Sequence, residues 1–252
     1  MATQKGFINI RGTLGETTFL KTKNGNYARE KARSIAPEIK SSPAFARTRE
    51  NNTEFGHACK VAKLLKTSLT PLIGSAQGSN YFGRLVKKII SIVKSDMVSL
   101  RGQRNVMNGP LTDLERFEMN DKASMQAIAP IQFATAIDRQ SGVLSLTIPS
   151  FIPTNIIKAP EAASHFRFVS MGIELEVKKE TSISQVKEGL PILWDKTATA
   201  PITVDHNVTP GSANPLMLAL GIQFLQMTCG QLNPVCQVRK NSVVILKVDQ
   251  LH

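Results

Sequence analysis

The chain has 252 residues, a formal net charge of +12 and 42% hydrophobic residues, a composition that excludes a disordered polar tail and supports a packed core. Its longest mostly apolar stretch, Pro215 to Met227, is shorter than the about 20 residues that a bilayer-spanning helix needs, so no membrane span is expected. The basicity is confined to one part: residues 1–105 hold 19 Lys/Arg against 6 Asp/Glu, and residues 106–252 hold 12 against 13.

The opening Met1-Ala2-Thr3-Gln4-Lys5-Gly6 has neither the apolar run of a secretory signal nor a glycine placed for myristoylation, which leads to a cytoplasmic expectation. Cys59, Cys229 and Cys236 are odd in number and have no metal-ligand or disulfide spacing, so they read as reduced thiols.

Phe7 to Ile10 has strand character, and Gly12 to Gly15 reads as a turn. Thr17 to Lys23 and Asn26 to Lys31 then form a hairpin closed by Asn24-Gly25. Residues 7–31 are thus expected to be a small antiparallel ribbon. Too small to stand alone, it must pack on its own body or on another chain, and an exposed edge would be a pairing site between subunits.

Residues 33–42 read as irregular. Ser42 and Pro43 then supply the cap and first turn of a helix whose apolar stripe is Phe55, Cys59, Ala62, Leu65 and Leu69, with Lys60, Lys63 and Lys66 opposite. After a break at Gly74 to Gly78, a second helix from about Ser79 turns Tyr81, Phe82, Leu85, Val86, Ile89, Ile90 and Val93 inward. Arg84, Lys87, Lys88, Ser91 and Lys94 face outward. The connection to Pro110 adds Arg101 and Arg104, and Thr112 to Glu115 has capping-box spacing for a short third helix ending near Asn120.

From Ile131 the period changes to two. Ile131 to Ile137 and Val143 to Ile148 form a hairpin, and a proline-marked crossing loop follows over residues 150–161. His165 to Val177 is a strand, Leu190 to Trp194 and Ile202 to Val204 are shorter ones, and Pro215 to Met227, apolar on both faces, belongs near the middle of the core. Val235 to Val238 and Val243 to Val248 close the chain as a hairpin turned at Lys240-Asn241. The fold class is therefore α+β: an N-terminal β-ribbon and amphipathic helices followed by an antiparallel β-sandwich with the helices outside it. The expected parts are residues 1–42, an arm; 43–122, a basic helical region; and 123–252, the sandwich.

Motifs for chemistry are sparse. His57, His165, His206 and His252 are scattered, without partners at metal-ligand spacing, and Glu174 with Glu176 reads as a solvated sheet face. No nucleophile elbow, Walker loop or dinucleotide fingerprint occurs, so no catalytic residue, metal, cofactor or small-molecule substrate is assigned. The candidate site residues are cations for phosphate contact: Lys60, Lys63, Lys66, Arg84, Lys87, Lys88, Lys94, Arg101 and Arg104. Such a face neutralises phosphates of DNA or RNA without reading sequence. It also suits an acidic partner or neighbouring subunit, and an ordinary helix exterior has the same pattern.

Lys5-Gly6-Phe7, Arg11 to Gly15, Thr18-Phe19, Asn24-Gly25 and the run from Pro43 to Lys66 resemble a family of basic Bacteroidetes proteins without an established activity. Ala159 to Ala162, His165 to Arg167 and Ala219 to Phe224 are similar to that family's C-terminal pattern. The resemblance implies a host lineage and a shared fold and assigns no site residue. The functional expectation is a non-enzymatic structural protein, a homo-oligomer assembling into a filament, tube or shell, with nucleic acid as a further partner. The competing expectation is a small nucleic-acid-binding module.

Overall fold

The computed structural model describes residues 2–4, 10–31, 35–73, 80–235 and 241–251. The chain divides into two compact units, Met1–Arg49 and Glu50–His252. In the first, β1 (Ala2–Thr3), β2 (Gly12–Leu14), β3 (Thr17–Thr22) and β4 (Gly25–Glu30) form an antiparallel sheet in the order β1-β4-β3-β2. The expected hairpin is present and gains two short strands, β1 and β2; β2 stands where Gly12 to Gly15 was expected to turn, and of the expected strand Phe7 to Ile10 only Ile10 is described, outside any strand. The tight turn sits one residue earlier than Asn24-Gly25, because Thr22 pairs with Gly25 across Lys23-Asn24. Gly25 takes φ +127°, which a side chain would oppose.

The stretch expected to be irregular holds a short helix, α1 (Ala36–Ser41), because Pro37 falls in a first turn, where its missing N–H costs nothing. Ser42 stands before the helical turn Pro43–Phe45 as expected, but its side chain makes no capping hydrogen bond.

The second unit has three layers. α2 (Ala46–Ile73), from Glu50 onward, and α3 (Tyr81–Lys94) make the first. A six-stranded antiparallel sheet is the centre. It contains β7 (His165–Glu176), β8 (Thr181–Glu188), β9 (Ile192–Leu193), β11 (Leu216–Thr228), β12 (Gln231–Pro234) and β13 (Ser242–Asp249). β5 (Ala134–Asp138), β6 (Val143–Ile148) and β10 (Ile202–Asn207) form a second sheet on the far side, in the order β10-β6-β5. The one-turn helices α4 (Met125–Ile128) and α5 (Pro153–Ile156) lie in the connections.

Two long strands organise these layers. β7 and β11 pair from Leu216 with Glu174 to Leu225 with His165. Neighbouring side chains leave a strand on opposite faces, so Val169, Met171, Ile173 and Leu175 meet Ala58, Leu65, Leu69, Leu85 and Ile89 of the helices. On the opposite face Phe166, Phe168, Leu218, Leu220 and Phe224 meet Leu144, Leu146 and Ile148 of β6. Each such aliphatic side chain contributes about 1.5–3 kcal/mol by burial. The helices assigned from sequence to their own region therefore share one core with the sheet.

Several expectations change. The inward face of α2 carries Glu54 and Ala58, while Phe55 points out, and α2 runs past Pro71 to Ile73. The third helix is replaced by a short turn over Leu111–Leu114. Beyond it the chain lies along β13, where Arg116 and Met119 donate backbone N–H groups to the carbonyls of Ile245 and Val243. This satisfies an edge that the capping-box spacing does not reveal. β8 was unread in the sequence because Thr181 to Gln185 alternates too weakly, and β13 pairs with β11; residues 236–240 of the expected closing hairpin lie outside the described residues.

Glu174 is buried rather than solvated. Its carboxylate accepts from the Ser212 hydroxyl, Asn214 Nδ2 at 2.9 Å and the Thr209 amide at 3.1 Å. Burial pushes its pKa up, but these bonds outweigh that and leave it lowered.

His206 on β10 is fully buried against β7, and Gly172 makes the approach possible: a Cβ there would stand 2.5 Å from His206 Cβ. His206 Nε2 pairs with Ser170 Oγ at 2.9 Å. Burial first, and then the Lys187 charge, lower its pKa from 6.5 to about 4. The folded pKa lies below the unfolded one, so the unfolded state takes up the proton first and stability falls as pH drops from about 6.5 to about 4. In thermal unfolding at stepped pH, the stability advantage of the parent over His206→Gln should shrink across that window. A constant difference would contradict this assignment.

Candidate functional site

The nine cations picked out by sequence do not form one free face. Arg84 reaches back to donate to the backbone carbonyls of Glu118 and Met119 at 3.0 and 3.1 Å, and its guanidinium lies 5.4 Å from the centre of the Phe117 ring. Arg101 donates to Asn51 Oδ1 at 2.9 Å and stands 3.4 Å from Glu50. Arg104 lies 3.9 Å from Glu54, Lys88 lies 3.5 Å from Asp113, and Lys60 bonds Glu180 at 2.7 Å. Lys66 sits over the rings of Phe82 and Tyr81 at 5.4 and 6.0 Å.

Lys63, Lys87 and Lys94 are exposed, and Lys87 and Lys94 make no ion pair among the described residues. Helical periodicity finds the exposed positions on α2 and α3, but it cannot reveal partners contributed by residues 113, 118, 119 and 180.

The loop after α3 holds a group that sequence reading passed over. Asp96 is 1% exposed and accepts from the amides of Val98, Ser99 and Asn105 and from Asn108 Nδ2, at 2.8–3.2 Å. Burial pushes this carboxyl up, but the bonds from Ser99, Asn105 and Val98 win and hold it far below the ordinary carboxylate range. Gly102, at φ +86°, turns the chain back so that its N–H reaches Glu54 at 2.8 Å. Between these anchors Met97, Val98 and Leu100 are 91%, 84% and 77% exposed. The apolar Met-Val-x-Leu run directly after a helix end was a legible signal for this tip.

Two concavities are relevant. Between the two sheets lies an apolar pocket of about 380 Å³, floored by Leu146, Ile148, Phe168 and Ser170 and flanked by Leu190 and Ile202. A cleft of about 770 Å³ is lined by Arg116, Glu118, Gln126, Gln132 and Phe133. Burial raises the Glu118 pKa to about 6 against the opposing bonds from the Met125 amide and the Ser242 hydroxyl and the Arg84 charge. Both Glu118 oxygens are occupied by those two donors, so this carboxylate ties α4 to β13.

In the first unit, no described residue is buried. The register places Leu14, Phe19 and Ala28 over one part of the sheet, on alternating positions from Leu20 and Tyr27, which pair directly on the opposite face. Apolar groups therefore occur on both faces. Cys59 is half-buried and Cys229 exposed, both as free thiols. No described helix is long and apolar enough to cross a membrane.

Comparison with family models, with curated proteins and with solved structures finds no match for the chain.

The contacts separate two kinds of cation. Arg84→Gln should lower stability by about 1–3 kcal/mol through its lost carbonyl bonds, and Lys87→Gln should stay within about 0.5 kcal/mol of the parent. Denaturant unfolding measures both; equal effects would show that Arg84 is no more a structural residue than Lys87.

Proposed function

We propose that this chain is a non-enzymatic structural protein that assembles with copies of itself through its first unit. The observation that carries the reading is the sheet of β1 to β4, which contains Leu14, Phe19, Leu20 and Tyr27 yet has no buried residue among those described. A small sheet with apolar groups on both faces and no buried residue among those described lacks the burial that stabilises sheets. Its outer strands are two and three residues long, so among the described residues the outward edge of β3 at Leu20 to Thr22 and that of β4 at Arg29 and Glu30 have no partner strand, the feature that invites another strand. The three-layered second unit, with its double core, supplies the rigid body of a filament, tube or shell.

Nucleic acid is the second reading, favoured by the exposed Lys63, Lys87 and Lys94 and the +12 charge. Because Arg84, Lys88, Arg101 and Arg104 are engaged within the fold, phosphate contact is assigned to an accompanying role. A Bacteroidetes lineage fits the same proposal.

Leu14→Asp combined with Phe19→Asp tests the reading in the full chain by sedimentation velocity and negative-stain imaging over a concentration series. The parent should form large, concentration-dependent particles, and the variant should lose them while its main thermal transition is unchanged. A parent that stays monomeric at every concentration would contradict self-assembly; if it retards nucleic acid at low salt, the binding module takes its place.

A further inference from the structure

The contacts between α2 and α3 fix which of their faces border the groove that separates them. At one end Asn52 and Phe55 of α2 line a cleft of about 340 Å³ together with Ile90, Val93 and Lys94 of α3. At the other end the Lys66 ammonium of α2 stands 5.4 Å from the centre of the Phe82 ring of α3. Residues three, four or seven apart share a helix face, so Lys63, one turn before Lys66, and Lys87, two turns before Lys94, border the same groove.

The helix cations divide by position. Those on the outer flanks are engaged: Lys60 with Glu180, Lys88 with Asp113, and Arg84 with the carbonyls of residues 118 and 119. Lys63, Lys66, Lys87 and Lys94, on the groove, make no ion pair among the described residues. The acidic side chains at its closed end are already taken, because Glu50 stands 3.4 Å from Arg101 and Glu54 is buried and accepts from the Gly102 amide. α3 has no acidic residue at all.

We propose that this groove binds single-stranded nucleic acid, with bases stacked on Phe55 and Phe82 and phosphates on Lys63, Lys66, Lys87 and Lys94. The inference rests on the nucleic-acid reading and names the form of the polymer and the surface that takes it. Phe55 is 54% exposed and Phe82 is half-buried. From Phe55 to Lys66, the residue that covers Phe82, α2 advances eleven residues or about 16 Å, room for about five stacked nucleotides at about 3.4 Å each. Rings set among cations are what sequence-independent binding of a single strand uses: base faces stack while phosphates release counterions. Asn52 adds an exposed amide of the kind that pairs with base edges.

Other occupants answer only part of this arrangement. An apolar partner would bury the lysines without counter-charge, which is costly. An acidic peptide would satisfy the lysines and leave the Phe55 ring in water. A duplex offers phosphates, but its base faces are already stacked on one another.

The test is fluorescence anisotropy of the full-length protein with a labelled oligothymidylate of about 12 nucleotides, within the range of known single-strand sites, and with a duplex of the same length. Phe55→Ala should weaken binding of the strand about tenfold or more, the loss of one base–ring stack, and leave duplex binding unchanged, while Phe55→Trp should keep the parent affinity. Lys63→Gln, Lys87→Gln and Lys94→Gln together should lower the salt slope for the strand by about 2, at about 0.7 per phosphate.

A Phe55→Ala variant that binds the strand as well as the parent, or an unchanged salt slope in the lysine variant, would overturn the inference. If either happens while the parent still binds strand or duplex, the nucleic-acid reading stands without this groove; if the parent binds neither, both fail. Polyglutamate bound as tightly as the strand, and equally by Phe55→Ala, would assign the groove to an acidic protein and overturn it as well.

Discussion

β7 and β11 run side by side through the centre of the second unit, and both are apolar on both faces, so neither can be stable unless the sheet is covered twice. That requirement sets the architecture. α2 and α3 cover one face with Leu65, Leu69, Leu85 and Ile89, and the sheet of β5, β6 and β10 covers the other with Leu144, Leu146 and Ile148. The close approach of β10 depends on Gly172, whose missing side chain leaves room for His206. Buried polar groups are then needed wherever connections cross the core, and Glu174 and Asp96 each bind several donors there.

The same requirement explains what could be read from the sequence. Residues 165–176 and 216–228 carry continuous apolar runs that no exposed strand would tolerate, so both long strands were legible, as was the β5–β6 hairpin with its alternating Leu144, Leu146 and Ile148. The amphipathic helices were legible from their three- and four-residue steps. β8 was not, because its core contact is limited to one part-buried aliphatic, Val186, while Ile183 is exposed. The segment 116–119 was misread because its backbone pairs with β13, more than a hundred residues away, and local capping chemistry carries no trace of such a partner.

For the cationic site the limit is of the same kind. Sequence period places Arg84 on an outward face and Phe55 on an inward one; the structure turns Phe55 out and leaves Arg84 half-buried, bonded back onto the protein. Arg84 is long enough to fold back onto the carbonyls of residues 118 and 119, and Glu54 turns inward because Gly102 and Arg104 meet it there. Charge count alone thus overstates the surface available to phosphates. The apolar tip at Met97, Val98 and Leu100 was present in the sequence, broken only by Ser99, but its shape is set by Asp96, whose donors are spread over residues 98–108.

The first unit stands apart in its physics. Its strands are ordered by hydrogen bonds and by the pairs Leu20 with Tyr27 and Phe19 with Ala28, with no buried residue among those described. In the proposed assembly a second copy supplies the missing burial. Amide hydrogen exchange of residues 17–30 in the full-length protein, followed from dilute to concentrated solution, addresses this most directly. Protection that rises with concentration, together with particle size, is the predicted result; protection that is already complete in the dilute monomer would contradict it.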